Sequence, residues 1–243
     1  MDRITLEVCF VVFVATAVRS AIGFGEALVG VPLLALLIPI KVAAPVAALV
    51  SITVAAVVMV QDWRHVEVRS ALRLVLATLP GIPLGLWLLT HAPEALVKAL
   101  LATIIIVFSV WAIVRPATGL VRERWAWLFG FVSGVLGGAY GMNGPPLAIY
   151  GALRKWSPAE FRATLQGYFL PASIVGMGGY FLAGLWSSRV TRLYAVSLPF
   201  VAVAIVLGSV VNRHLDAHRF ISIVYGALVV IGGTLLVQSI AMR

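Results

Sequence analysis

Charge is scarce in this chain. Of its 243 residues only 11% are Asp, Glu, Lys or Arg, where an ordinary soluble domain carries about a quarter. With 62% hydrophobic residues and a mean hydropathy of +1.06, that shortage excludes a water-soluble fold. Cysteine is rarer still. The single Cys9 excludes an internal disulfide and a thiolate metal cluster, and it reads as a small apolar side chain. The 9 acidic residues stand against 18 basic ones, a formal charge of +9. In a soluble protein such a balance would raise nucleic acid as a partner. Here Arg64, Arg69, Arg73, Arg115, Arg122, Arg124, Arg213 and Arg219 fall between apolar runs, as in cytoplasmic loops of membrane proteins.

Enzyme motifs are lacking too. The histidines His65, His91, His214 and His218 fall in expected loops, and His214 and His218 have no accompanying Glu of the metalloprotease type. There is no Walker loop. An intramembrane protease would want two membrane aspartates, yet Asp2, Asp62 and Asp216 all lie outside the apolar segments. The chain therefore reads as a non-enzyme without cofactor or metal.

What the chain does contain is long, continuous apolar runs. In hydrocarbon every backbone amide needs an internal partner, which leaves helices or a closed barrel, and a barrel would need alternating segments of roughly ten residues. The expected fold is all-α, a multi-pass protein of a bacterial-type cytoplasmic membrane. The run Ile4–Val18 ends in Arg19-Ser20-Ala21 and is followed by further apolar sequence, so it reads as a retained membrane segment. A spanning helix takes about 20 apolar residues. Simple spans are predicted over Val42–Gln61, Ala71–Thr90, Ala95–Val114, Leu193–Val211 and Phe220–Ile240, with a long helix between Pro158 and Trp186. The total is about eight, or up to ten if broken segments count twice.

Two regions are broken. Ile4–Ile40 is interrupted by Gly23-Phe24-Gly25 and Pro32, and Trp125–Leu153 by Gly137-Gly138, Gly141, Gly144, Pro145 and Pro146. Sliding the chain by 113 residues lays Gly25 on Gly138, Pro32 on Pro145, Lys41 on Arg154 and Pro45 on Pro158. A slide of 119 lays Arg73 on Arg192 and Pro80 on Pro199. These coincidences predict two repeated halves, 1–116 and 120–243, forming one membrane domain. Matched Gly/Pro interruptions in two halves point to a transporter's binding site. If each broken region is one span plus a re-entrant piece, the halves run parallel; if each is two short helices, they are inverted. Basic residues segregate about equally well either way.

An ionisable residue inside a bilayer is a functional hypothesis by default. Arg19 and Glu26 flank the first break. They can pair, or act separately, Arg19 on an anion and Glu26 as a proton carrier; at the membrane surface both would be merely interfacial. In the second break Gly144-Pro145 reads as a helix start with Asn143 as its cap, and Gly30-Val31-Pro32 as a shorter version in the first half. Helix starts carry free N–H groups and partial positive charge, which suits an anion. Arg162, Gln166 and Ser173 share one helix face and can wall a substrate path. The candidate substrate site is thus Arg19, Gly23, Phe24, Gly25, Pro32, Gly138, Tyr140, Asn143, Gly144, Pro145, Arg162 and Gln166.

These residues also carry a resemblance. Gly23-Phe24-Gly25 followed by Val31-Pro32-Leu33-Leu34, and then Gly137–Pro146 followed by Phe161-Arg162-Ala163-Thr164, resemble the two signatures of the sulfite exporter TauE/SafE family, and the similarity spans essentially the whole chain. Glu26 departs from the family's pattern, where glycine is common, and a carboxylate beside an anion site would repel its ligand unless protonated or paired. The resemblance implies export of a small sulfur-containing anion, such as sulfite or sulfoacetate, by alternating access. An anion channel and a membrane enzyme or assembly factor are the alternatives. The expected partners are that anion and the lipid bilayer, with a homodimer left open and no nucleic acid.

Overall fold

The structure, a computed structural model, describes residues 2–62, 66–114, 121–212 and 217–241. Arg64, His65, Arg115, Arg213, His214 and Asp216 lie outside them. Every regular element among the described residues is helical. In order these are α1 (Arg3–Ile22), α2 (Glu26–Leu37), α3 (Ile40–Asp62), α4 (Val68–Thr78), α5 (Gly81–His91), α6 (Glu94–Val114), α7 (Ala126–Tyr140), α8 (Gly144–Leu153), α9 (Pro158–Leu182), α10 (Ser188–Asn212) and α11 (Ala217–Ala241), with a 3-10 turn at Glu123–Trp125 before α7. His91 closes α5 and His218 lies in the first turn of α11, so neither is a loop residue.

Five helices are long and apolar enough to cross a membrane, and a sixth span forms if α4 and α5 are joined. The single helix expected over Ala71–Thr90 is in fact this pair, bent by 42°. Pro80 sits at the bend, where its missing N–H and its ring oppose a continuous helix. The count falls below eight because α7, of 15 residues, is too short to span and the 25-residue α9 is not apolar enough to stand among the candidates.

Both short helices fold back on the helix before them. Arg19 and Thr16 of α1 bond Glu26 of α2, while a Cβ at Gly30 would lie 3.1 Å from that of Ala15. The pairing of 19 with 26 and 15 with 30 makes an antiparallel hairpin. In α7 and α8 the rings of Phe129 and Tyr150 lie 5.5 Å apart and Ser133 donates to the Asn143 carbonyl, giving a second hairpin. The two tips are bent by left-handed backbone that glycine adopts cheaply, at Gly23 (φ 88), Gly25 (φ 96) and Gly141 (φ 66).

The remaining directions follow from which residues touch. Against α1, α10 runs parallel: Asp2 meets Arg192, Cys9 meets Ser197, and Gly208 meets Ala17 and Ser20. Against α4 and α5, α7 also runs parallel, with Gly130 on Leu74 and Ala77, Gly134 on Thr78, and Gly138 on Ile82. Antiparallel are α6 and α11, where Phe108 meets Tyr225 and Ile105 and Ile106 meet Gly232. Helix ends of the two hairpin regions keep a constant separation: 22 and 140, 26 and 144, and 40 and 158 each differ by 118. A slide of 118 residues, five more than 113, lays these helix ends on one another and Gly25 on Asn143.

The contact of α7 with α4 and α5 is close. A Cβ at Gly134 would lie 2.3 Å from the Thr78 carbonyl oxygen, at Gly138 2.2 Å from that of Ile82, and at Gly85 2.0 Å from that of Val135. Small residues spaced by four let backbones approach and gain dispersion contacts that lipid cannot supply. Gly138 is held by this packing.

Candidate functional site

The two hairpin tips converge. At Gly23 the chain leaves α1, and α2 begins at Glu26 with Gly25 as its N-cap. Gly141 ends α7, and α8 begins at Gly144 after Asn143. Between these helix starts lies a small cavity of ≈ 10 Å³, lined by Arg19, Gly25, Glu26, Ser51, Asn143 and Phe169, with Ala27, Leu28 and Gly144 completing it. Ser51 comes from the middle of α3, a helix long and apolar enough to span, and Phe169 from the middle of the 25-residue α9.

Arg19 organises it. Its residue exposure is 3%, and Glu26, Ser51 and Gln166 share its guanidinium. Nη1 donates to Glu26 and, at 2.9 Å, to Ser51 Oγ; Nη2 donates to Gln166 Oε1 at 2.5 Å. Cζ stands 5.0 Å from the Phe169 ring centroid, a cation over an aromatic face. Gln166 is fixed in turn by donating from Nε2 to the Gly23 carbonyl at 2.8 Å. That bond ties α9 to the first tip and aims the Gln166 oxygen at Arg19. Glu26 accepts from Arg19 and from Thr16 at 3.4 Å, and its residue exposure is 4%. Of the readings left open for Arg19 and Glu26, the structure has them paired and buried, and each offsets part of the other's desolvation.

The second tip is uncharged. The Asn143 side chain caps nothing: its backbone is in the αR region, unlike the extended residues whose side chains cap helices. It faces the cavity instead, while its carbonyl accepts from Ser133. A Cβ on Gly144 would meet only the Phe169 ring, at 3.8 Å, so this glycine leaves open room. Pro145 and Pro146 follow within the first turn of α8, where a missing N–H costs nothing. The first turns of α2 and α8 thus direct unpaired amides and two partial positive charges at one small volume beside a guanidinium. Amides and a guanidinium so arranged are groups able to donate to the oxygens of an anion. Tyr168, on α9, packs behind the second tip with its hydroxyl 2.7 Å from Thr78.

A family model described as sulfite exporter TauE/SafE matches residues 8–235. The chain belongs to that family. A relative from Cupriavidus necator, named "Probable sulfite/organosulfonate exporter TauE", is 25% identical over 227 residues, covering 91% of this chain and 89% of its own. No solved structure matches the chain. As a TauE/SafE member with several apolar helices, it is a multi-pass membrane protein.

Not every residue expected at the site of this TauE/SafE protein reaches the cavity. Phe24 packs edge-on to Phe161, 5.8 Å between centroids. Pro32 is buried inside α2, six residues past its first residue, so Gly30-Val31-Pro32 is not the helix start; Gly25-Glu26 is. Gly138 serves helix packing, and the Tyr140 hydroxyl donates to the Val97 carbonyl on α6 at 3.0 Å. Pro145 faces a separate apolar groove between α6 and α7. Arg162 lies with its stem against Gly23, one turn before Gln166. Ser51, Thr16 and Phe169 went unnoticed in the sequence. A serine midway along apolar α3 was a readable signal; nothing in the sequence marks Phe169.

Proposed function

We propose that the protein is a secondary transporter that exports a small sulfur oxyanion, sulfite or an organosulfonate, across the cytoplasmic membrane by alternating access. The observation that carries this reading is Arg19, buried among the starts of α2 and α8. A guanidinium and free amides together bind the oxygens of an anion while excluding cations. The family supports the sulfur chemistry, as does the name of the Cupriavidus necator relative. Support for alternating access comes from the helix directions. Three spans separate the hairpins, α1 runs parallel to α10 and α7 to the bent α4–α5 span, each in the other half, and α6 opposes α11. Two inverted halves related by an axis in the membrane plane have this pattern, and such halves exchange inward and outward states by rocking about a fixed site.

Orientation follows from charge. Arg73 pairs with Glu123, Arg154 reaches the Val121 carbonyl, and Arg69, Arg122, Arg124 and Lys155 lie beside them in sequence, all at one end. That end is cytoplasmic by the excess of basic residues, and the Asp2–Arg192 end is external. The test is flux in proteoliposomes against sulfite, sulfoacetate, taurine, sulfate and chloride, with and without a pH gradient. Saturable, gradient-dependent movement of a sulfur oxyanion is the expected result. Non-saturating flux insensitive to protons would make it a channel, and no flux of any member would reject the transport reading.

A further inference from the structure

We propose that the Glu26 carboxylate is a tethered stand-in for the transported anion, occupying the anion's place on Arg19 until an incoming oxyanion displaces it and Glu26 takes a proton. The inference rests on the transporter reading and adds the exchange step and the charge class of the substrate.

Room is the first reason. A cavity of ≈ 10 Å³ admits about one water and no sulfur oxyanion. Something must vacate the site for an anion to enter. The other lining groups are backbone at the two tips or side chains held by their neighbours: Asn143 lies against Gly137, Ser51 is on α3, Phe169 on α9, and Arg19 is held by Gln166. Glu26 is the first residue of α2, next to Gly25 at φ 96, and apart from Arg19 it is held only by a 3.4 Å contact to Thr16. It is the group that can swing away.

Donor chemistry is the second reason. A carboxylate offers two oxygens to a guanidinium, and sulfite or a sulfonate presents the same edge with one oxygen more. Arg19 Nε is buried and has no partner while Glu26 sits on Nη1. An anion with three oxygens can use this idle donor along with the amides of both helix starts.

Charge neutrality is the third. Among the described residues around Glu26, α1 contributes Arg19 and Thr16, α3 Ser51, α8 Asn143, and α9 Gln166 and Phe169. The Arg19–Glu26 pair is therefore the whole ionic content of the cavity and sums to zero. An anion added to it would leave a net buried charge, which is expensive in low dielectric. One proton moving from solvent to the displaced Glu26 carboxylate restores neutrality for a monoanion; a dianion would still leave one charge over. The site thus takes singly charged oxyanions, hydrogen sulfite or a simple sulfonate, with one proton each.

The test is calorimetric binding of methanesulfonate, which does not titrate, and of sulfite to the purified full chain, in two buffers of different ionisation enthalpy. Wild type should take up about one proton per methanesulfonate bound, with affinity rising about tenfold per unit of falling pH above the Glu26 transition. Glu26→Gln, a neutral and weaker competitor, should bind about tenfold or more tightly at neutral pH and show no proton uptake. If wild type binds an anion without taking up protons, the exchange step is overturned and the transporter reading stands; this arm needs no variant. Equal affinity and pH profile in wild type and folded Glu26→Gln would overturn it as well. If neither protein binds either anion at any pH, the transporter reading falls and the exchange step with it.

Discussion

The two hairpin tips share a backbone plan and differ in chemistry. Each ends one helix on a left-handed glycine and opens a short helix onto the same cavity. The first tip brings Arg19 and Glu26, a full ionic pair; the second brings Asn143, Gly144 and bare amides. A transporter of a charged species needs affinity and release together. Concentrating formal charge on one tip and leaving the other to dipoles gives a site in which one tip can loosen while the other keeps hold.

The largest expected effect comes from breaking the charged tip. Arg19→Met should abolish anion flux in proteoliposomes and destabilise the protein by about 3–5 kcal/mol, because Glu26 is left buried without its partner. The double change Arg19→Met with Glu26→Gln should recover most of that stability, measured by thermal melting in detergent, and none of the flux. If the double variant transports, Arg19 does not hold the anion.

Glycine substitutions separate site from scaffold. Gly144→Leu fills the open room beside Phe169 and should cut flux by at least about tenfold in protein that remains monodisperse. Gly134→Leu, forced against the Thr78 carbonyl, should instead remove folded protein altogether. Retained flux in Gly144→Leu would count against an anion at the start of α8. Next, Asn143→Asp makes the second tip resemble the first. The added carboxylate should weaken sulfite or sulfonate binding by about tenfold at neutral pH, roughly 1.4 kcal/mol, and the loss should shrink in acid.

The smallest effect belongs to a pair outside the cavity. Arg73 donates to Glu123 at the basic end, where both side chains are about a third exposed, and this holds the Glu123 carboxyl below its ordinary 4.5. A depressed folded pKa stabilises above the unfolded value and stops doing so as pH falls through the folded one. Arg73→Gln should therefore lower the melting temperature only slightly, and the difference from wild type should shrink as pH falls below 4.5 and vanish once Glu123 is protonated in the folded protein.

Helix content and the two breaks were legible because they are local. Apolar length marks a span, and glycine or proline in the middle of one marks an interruption. Arg19 and Glu26 stood out because charge in an apolar run is expensive, and spacing along α9 marked Gln166. The rest was lost where one residue type serves two purposes. Gly138 near a break reads as a binding glycine, although Gly130, Gly134 and Gly138, spaced by four, also spell a packing face. Pro32 suggested a helix start and lies within a helix. The hairpin turns, and with them the span count, depend on α2 folding back onto α1, which only the packing of residue 30 against residue 15 reveals. Phe169 was beyond reach since its role depends on α9 crossing behind the first tip.

The seven-residue separation of Arg19 and Glu26 has a consequence for biosynthesis. Gln166, which completes the grip on Arg19, is 147 residues further along and is still unmade when the first hairpin leaves the ribosome. An arginine entering the bilayer alone would resist partition into lipid. With its counter-ion on the returning arm of the same hairpin, the segment can insert as an electrically neutral unit and wait for the second half of the chain.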